Sequence, residues 1–440
     1  MIGIFTKNTL ITFVTRVLTS IFGIGVVIII ARMLGPEGQG IYSLAVLLPA
    51  FLLMFVSSGI NLASSFYVAK RKYPPKEVFG NNIILTVLIS SLAILAGLII
   101  IFFFSDRLFP GVEKKYLVLA LSLIPLYIFF NFISHILLGL QKIKKYNAVS
   151  FFQGFTFLIL VGILLIGFHF GVRAAILAQF FSFLLTGIVL FFLVKKEVQG
   201  VVLKLNKNYL KDTIVYGFKL YLGGIFYFLH HRVNLLLINF FINPVAVGLY
   251  SVSVGLAEGV WFLSTSAATV LFPKVSSETN EKNLKEFTPM VCRSILFVTL
   301  VISVLLFILG DWIIPLLYSG KFLGSIQPFR ILLIGTFVAS GWQMLVNDLA
   351  ARGKPILGTY IAGISVVVNI ILNIFWIPKW GIEGAAWATV VSYLTMFLVT
   401  VLVYSRISGN RIRDIVLFKK SDLKLYKNIL LAIKNPTQLL

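Results

Sequence analysis

Ala31-Arg32-Met33-Leu34-Gly35-Pro36-Glu37-Gly38-Gln39-Gly40-Ile41-Tyr42-Ser43-Leu44-Ala45 links two long apolar runs near the start of the chain. Gly35, Pro36, Gly38 and Gly40 predict a break in helix here: proline has no amide proton to donate, and glycine admits backbone angles that other residues avoid. The stretch returns later. Gly40-Ile41-Tyr42-Ser43 is echoed by Gly248-Leu249-Tyr250-Ser251, and Pro36 by Pro244 at the same spacing. A second echo sits at nearly the same offset. Gly171-Val172-Arg173-Ala174-Ala175, with Ser182 beyond it, matches Gly381-Ile382-Glu383-Gly384-Ala385-Ala386, with Ser392. Two matches at nearly one spacing predict two homologous halves.

Working outward, composition sets the class. Of 440 residues 59% are hydrophobic and 12% charged, against roughly 25% charged in soluble domains. Apolar runs of about 20 residues recur along the chain, the length that a hydrocarbon core of about 30 Å requires. The expected fold is an all-α polytopic membrane protein with about twelve spans, near 9–33, 41–69, 80–104, 116–138, 147–168, 172–194, 213–242, 246–272, 289–316, 327–350, 356–377 and 382–405. The expected domains are an N-terminal lobe (1–200, six spans), a C-terminal lobe (201–405, six spans) and a basic cytoplasmic tail (406–440). With six spans each, the halves run in the same sense across the membrane. That is a parallel repeat, with a central site between the halves near the bilayer midplane.

The net charge is +23. The basic residues lie between spans, so they read as topogenic charge and attraction to anionic headgroups rather than as a nucleic-acid surface. Lys70-Arg71-Lys72, Lys142 to Lys145, Lys195-Lys196 and the tail with Arg411, Arg413, Lys419 and Lys420 fall on one side. The positive-inside rule then predicts a plasma-membrane protein with both termini cytoplasmic. The first apolar run is too long for a signal-peptide core and reads as a retained helix. Cys292 is the lone cysteine, so no intrachain disulfide is available.

Ionisable groups inside spans cost several kcal/mol and need a reason. In the first span Asn8, Thr12, Thr15, Arg16, Thr19 and Gly23 share one helical face. Either that face lines a wet cavity, or Arg16 snorkels to the headgroups. In the seventh, Tyr216, Gly223, Tyr227, His230, His231 and Asn234 form a stripe with Arg232 beside it, too far from either surface to snorkel comfortably. Packing between helices is the plainer alternative. Adjacent histidines point about 100° apart and no metal set is expected. Glu258, mid-span in the eighth, pairs with a cation such as Arg232 or Arg16, or serves as a proton or Na⁺ site. Asp348 and Asn347 are expected in contact with solvent at the end of the tenth span. Asn369 and Asn373 are expected to make interhelical hydrogen bonds. No Walker lysine, metal signature or Ser-His-Asp set is present, so no enzyme is expected.

Residues 31–42, Val247-Gly248-Leu249-Tyr250 running into Ala257-Glu258-Gly259-Val260-Trp261, Val270 to Ser276 and the Gly381 turn resemble the polysaccharide flippase (Wzx-like) branch of the multidrug/oligosaccharidyl-lipid/polysaccharide exporter superfamily. The resemblance covers about residues 10–400. It implies a MATE-like fold of two six-helix lobes around a V-shaped cavity that opens alternately to each side. It implies a cargo of undecaprenyl-diphosphate-linked oligosaccharide moved from inner to outer leaflet for surface polysaccharide assembly, alongside polymerase and chain-length proteins. In the related lipid II flippases, basic residues on the first helix and on the helix opening the second half line the cavity, and Arg16 and Arg232 stand at comparable places. The expected site comprises Arg16, Arg232, His231, Asn234, Tyr227, Thr12 and Thr19, with Glu258 for ion coupling. No cofactor is expected; an H⁺ or Na⁺ gradient or the membrane potential supplies the drive. The rival readings are a multidrug–cation antiporter of the same fold and a lipid II flippase.

Overall fold

The computed structural model describes residues 2–56, 59–278, 280–419 and 422, without the side chains of 2–10, 56, 218–222, 270, 273, 277 and 282. In chain order the helices are α1 (Ile2–Val56), α2 (Ile60–Ala69), α3 (Pro75–Leu108), α4 (Lys114–Leu121), α5 (Leu123–Gly139), α6 (Ile143–Gly162), α7 (Val172–Glu197), α8 (Lys207–Phe241), α9 (Pro244–Glu258), α10 (Trp261–Ser277), α11 (Glu281–Tyr318), α12 (Ile326–Ala351), α13 (Pro355–Ser408) and α14 (Ile412–Val416). No strand occurs among the described residues. Eight helical segments among them are long and apolar enough to cross a membrane, nine if α9 and α10 form one bent span. This is a multi-span, all-α membrane protein.

Gly35 does break α1, at φ 68° and ψ −175°, a conformation that a side chain would strain. The break is confined to that residue. Helix resumes at Pro36, whose missing amide proton costs nothing in a first turn, and runs through Gly38 and Gly40. The expectation that Gly38 and Gly40 also break the helix is therefore corrected. Gly381 interrupts α13 at φ 59°, ψ −140°, and Gly171 precedes α7 at φ 62°, ψ −147°. The paired turns share one backbone conformation. Two expected spans are themselves broken. Gly59, at φ 69°, separates the end of α1 from α2, and α9 and α10 meet at 44° just past Glu258.

Side-chain size sorts the helix faces, as α3 illustrates. Thr86, Ser90, Ala93, Gly97, Ile101 and Ser105 are buried, whereas Leu88, Leu92, Leu95, Ile99, Phe102 and Phe103 are exposed. Lipid tails are as apolar as leucine, so burying leucine against protein gains little there. Small residues that let helices approach face inward instead. Gly97 accordingly lies under Leu121 and Leu52.

The chain packs as two compact units. One comprises Met1–Val252, Trp312–Ser325 and Ile374–Ile382; the other Ser253–Asp311, Ile326–Asn373 and Glu383–Leu440. The division falls within α9. In the first unit α8 is held to α2 and α3 by a buried polar knot. Ser64 Oγ lies 2.8 Å from the Tyr209 hydroxyl, which donates to Asn82 Oδ1 at 2.9 Å. The link before α8 crosses α3 at Gly80, where an added Cβ would lie 1.8 Å from the Val202 carbonyl oxygen.

Candidate functional site

On α1, Asn147 Nδ2 of α6 donates to Thr12 Oγ1 at 2.9 Å, and Thr19 Oγ1 donates to the Arg16 carbonyl at 3.0 Å. Those hydroxyls are engaged locally, so Thr12 serves helix packing as well as any cavity. Arg16 is exposed and forms no ion pair with a described residue. The Asn8 side chain lies outside the described residues.

On α8 the expected stripe divides. His230 and Asn234 are buried, and Asn234 Nδ2 donates to the Tyr250 hydroxyl of α9 at 3.1 Å. Tyr227 is 52% exposed. The His231 ring lies over it with centroids 4.2 Å apart, and its Nδ1–H donates to the Tyr227 carbonyl at 2.7 Å. Arg232 is two residues from both His230 and Asn234, which turns it about 160° away from that buried edge. It is exposed and forms no ion pair with a described residue. It stands apart from the His230–Asn234 patch rather than inside it.

Glu258 is the last residue of α9, at the bend. It is half-buried and makes no ion pair with a described residue of its own unit. Asn369 and Asn373 are fully buried: Asn369 Nδ2 donates to Ser392 Oγ, beyond the Gly381 break, at 3.4 Å, and Asn373 Nδ2 donates to Asn369 Oδ1 within its own helix at 3.0 Å. Packing, as expected from their spacing, is what they do. No group of three or more His, Cys, Asp or Glu poised for a metal ion occurs among the described residues.

Asp348 requires a correction. Instead of meeting solvent it is fully buried. Its Oδ2 accepts from Thr288 Oγ1 at 2.5 Å, and its Oδ1 from Arg352 Nε. Arg352 Nη1 continues to Glu281 at 2.9 Å. The apolar side chains of Leu284, Cys292, Leu345 and Leu349 close over this end of α11 and α12. That cover is why the carboxylate needs a partner. The i, i+4 spacing of Asp348 and Arg352 is visible in the sequence; Thr288, sixty positions away, is not.

The two echoed hairpin motifs meet in the first unit. A Cβ on Gly40 would lie 1.8 Å from the Pro244 carbonyl oxygen, and one on Gly248 would lie 1.8 Å from that of Pro36. Gln39 Nε2 reaches Ser251 Oγ at 3.5 Å. Arg32 seals the same region: its Nε donates to the Leu317 carbonyl at 2.7 Å and its Nη2 to that of Leu316, capping carbonyls that α11 leaves open at its C-terminus. Tyr42 donates to Gln179 Oε1 at 2.9 Å, and Gln179 Nε2 donates to the Tyr127 hydroxyl at 2.5 Å.

These features define a multi-span helical membrane protein with the fold of the MOP superfamily. The chain aligns with a solved structure of the lipid II flippase MurJ in an inward closed conformation, at TM-score 0.73, 18% identity, 92% of this chain and 89% of that one. It aligns as well with an inward-facing multidrug resistance MATE transporter of the MOP superfamily, at TM-score 0.72, 16% identity, 89% of this chain and 96% of that one. A putative O-antigen transporter of Shigella flexneri is 23% identical over 381 residues, covering 81% of this chain and 87% of its own length. Residues 5–279 match the family model described as polysaccharide biosynthesis protein. The chain belongs to that family. The relatives and structural neighbours whose names give a role are transporters and flippases, not enzymes.

Proposed function

We propose that this protein translocates polyprenyl-diphosphate-linked oligosaccharide from the inner to the outer leaflet of the plasma membrane, by alternating access between two six-helix halves, for surface polysaccharide assembly. The carrying observation is Arg232, an arginine nine residues before the C-terminal end of α8 that is exposed and without an ion pair among the described residues. Arg16 of α1 repeats the pattern. An uncompensated guanidinium in a membrane helix is costly unless its counter-charge arrives with the cargo. A diphosphate fits, because the planar fork bonds phosphate oxygens in pairs. The exposed ring of Tyr227, with His231 against it, suits a sugar. A cationic drug would meet repulsion at both arginines, which disfavours the multidrug antiporter reading.

An inside-negative potential favours outward movement of anionic cargo by about 2.3 kcal/mol per charge per 100 mV. Glu258, at the open C-terminal end of the half-helix α9, is the residue we assign to ion exchange, since such ends coordinate cations in discontinuous spans. Polymerase and chain-length proteins would take up the product. The deciding experiment deletes the gene and measures which lipid-linked oligosaccharide builds up on the inner leaflet. Arg232→Ala, inserted at wild-type level, should fail to relieve that build-up. Full complementation would remove Arg232 from the site.

A further inference from the structure

At 38 residues α11 is about 57 Å long, nearly twice a hydrocarbon core. Its charged residues mark where it leaves the bilayer. Glu281, Lys285, Glu286 and Arg293 all precede Ser294, and no charge follows until Asp311. The hydrocarbon boundary therefore lies near Arg293. At that level the chain returns after α13. Arg293 Nε and Nη2 donate to the two carboxylate oxygens of Asp422 at 2.7 Å each, and Nη1 donates to the Asp414 carbonyl. Both side chains of this bridge are at most 6% exposed. Phe418 stacks on Phe297, one turn into the apolar part of α11, with centroids 4.8 Å apart. Asn410 Nδ2 donates to the Lys285 carbonyl at 2.8 Å.

So fixed, residues 411–419 run along α11 from the level of Lys285 toward that of Phe297 and present two kinds of surface. Ile415 points into the protein, fully buried. Ile412, Leu417 and Phe418 are exposed, Leu417 at 61%. Arg411, Arg413, Arg406 and Lys285 are also exposed and form no ion pair with a described residue, while Lys419 is bridged to Asp414. Bare apolar side chains beside unpaired cations at the edge of the hydrocarbon match one surface: acyl chains beneath a layer of anionic headgroups.

We propose that residues 411–419 form an interfacial strap, pinned by Arg293–Asp422, that binds anionic phospholipid in the leaflet at this end of α11. The arginines hold headgroup phosphates while Leu417 and Phe418 enter the acyl region. None of these residues belongs to the proposed cargo set, and lipid binding here does not depend on the cargo's identity.

The test places one nitroxide at Leu417→Cys; Cys292, the lone native cysteine, is buried and escapes the label. The full chain goes into nanodiscs of phosphatidylcholine alone, or of equal parts phosphatidylcholine and phosphatidylglycerol. Depth is read from the ratio of oxygen to water-soluble nickel accessibility. The strap should sit deeper in the anionic discs. Arg411→Gln/Arg413→Gln should return it to the zwitterionic value, a shift of about thirtyfold in its interface-to-water partition. Inorganic phosphate at moderate concentration should leave the depth unchanged. Equal depth in both lipids, an anionic response that survives the double substitution, or displacement by phosphate as effective as removing phosphatidylglycerol would each overturn the proposal.

Discussion

Gly40 and Gly248 are reciprocal. Each presses its bare Cα against the carbonyl that opens the other's helical segment, Pro244 for Gly40 and Pro36 for Gly248. The motif that repeats in the sequence is thus its own partner in space. Glycine is needed twice here for want of room, not for backbone angle. Gly40→Ala should therefore destabilise by about 1–3 kcal/mol through overpacking, and Gly248→Ala likewise. Gly162, helical with nothing within 4 Å of an added Cβ, should be neutral or gain slightly as alanine. Thermal unfolding in detergent ranks the three; equal Tm values would refute the close contact.

Under the proposed function, Arg16 and Arg232 serve transport and not the fold. Neither has an ion pair among the described residues to lose, so Arg16→Gln and Arg232→Gln should stay within about 0.5 kcal/mol of wild-type stability. Cargo should accumulate on the inner leaflet in both. Arg232→Lys keeps the charge but loses the fork, and should rescue only in part. A large drop in Tm for Arg232→Gln would mean a structural role instead.

Arg352 should behave in the opposite way. Arg352→Ala leaves Asp348 charged and buried, which costs about 3–5 kcal/mol. Replacing both, as Asp348→Leu/Arg352→Met, should recover most of that loss, because the surrounding shell is apolar. Unfolding curves of the single and double variants decide it; a double variant worse than Arg352→Ala would contradict the account.

The strap carries a pH signature. The Arg293 guanidinium holds the Asp422 carboxyl below the usual carboxylate range. Its contribution is fully present above the unfolded value of about 3.9, and is lost as pH falls through the lowered native value. The mobility of a nitroxide at Leu417→Cys, read directly at each pH, should be flat from pH 8 to 5 and rise only after strong acidification. Asp422→Asn should be mobile at every pH.

Much of this molecule was legible in its residues. Gly35 and Gly381 sit where the helices break, because no other residue tolerates those angles. Asn369 makes the interhelical contact expected of it, to Ser392, while Asn373 braces it from one turn along the same helix. Arg16 and Arg232 stood out as charges without neighbours along the chain. Other features were misread for a physical reason. Asp348 near the end of a span reads as solvated until α11 brings Thr288 and its apolar cover across it. Arg232 reads as lying beside the His230–Asn234 stripe, and helical geometry with burial sets it on the opposite side of α8.

The sequence by itself determined that the chain crosses a membrane, where its helices turn, and that a motif recurs, since hydropathy, glycine and proline act locally and need no partner. Only the tertiary structure decided what touches what. Gly40 meets Pro244 and Arg293 meets Asp422, each across more than a hundred positions. A contact between distant segments depends on which small residues let two helices approach and which polar groups then lose their water, and neither is written in any one stretch.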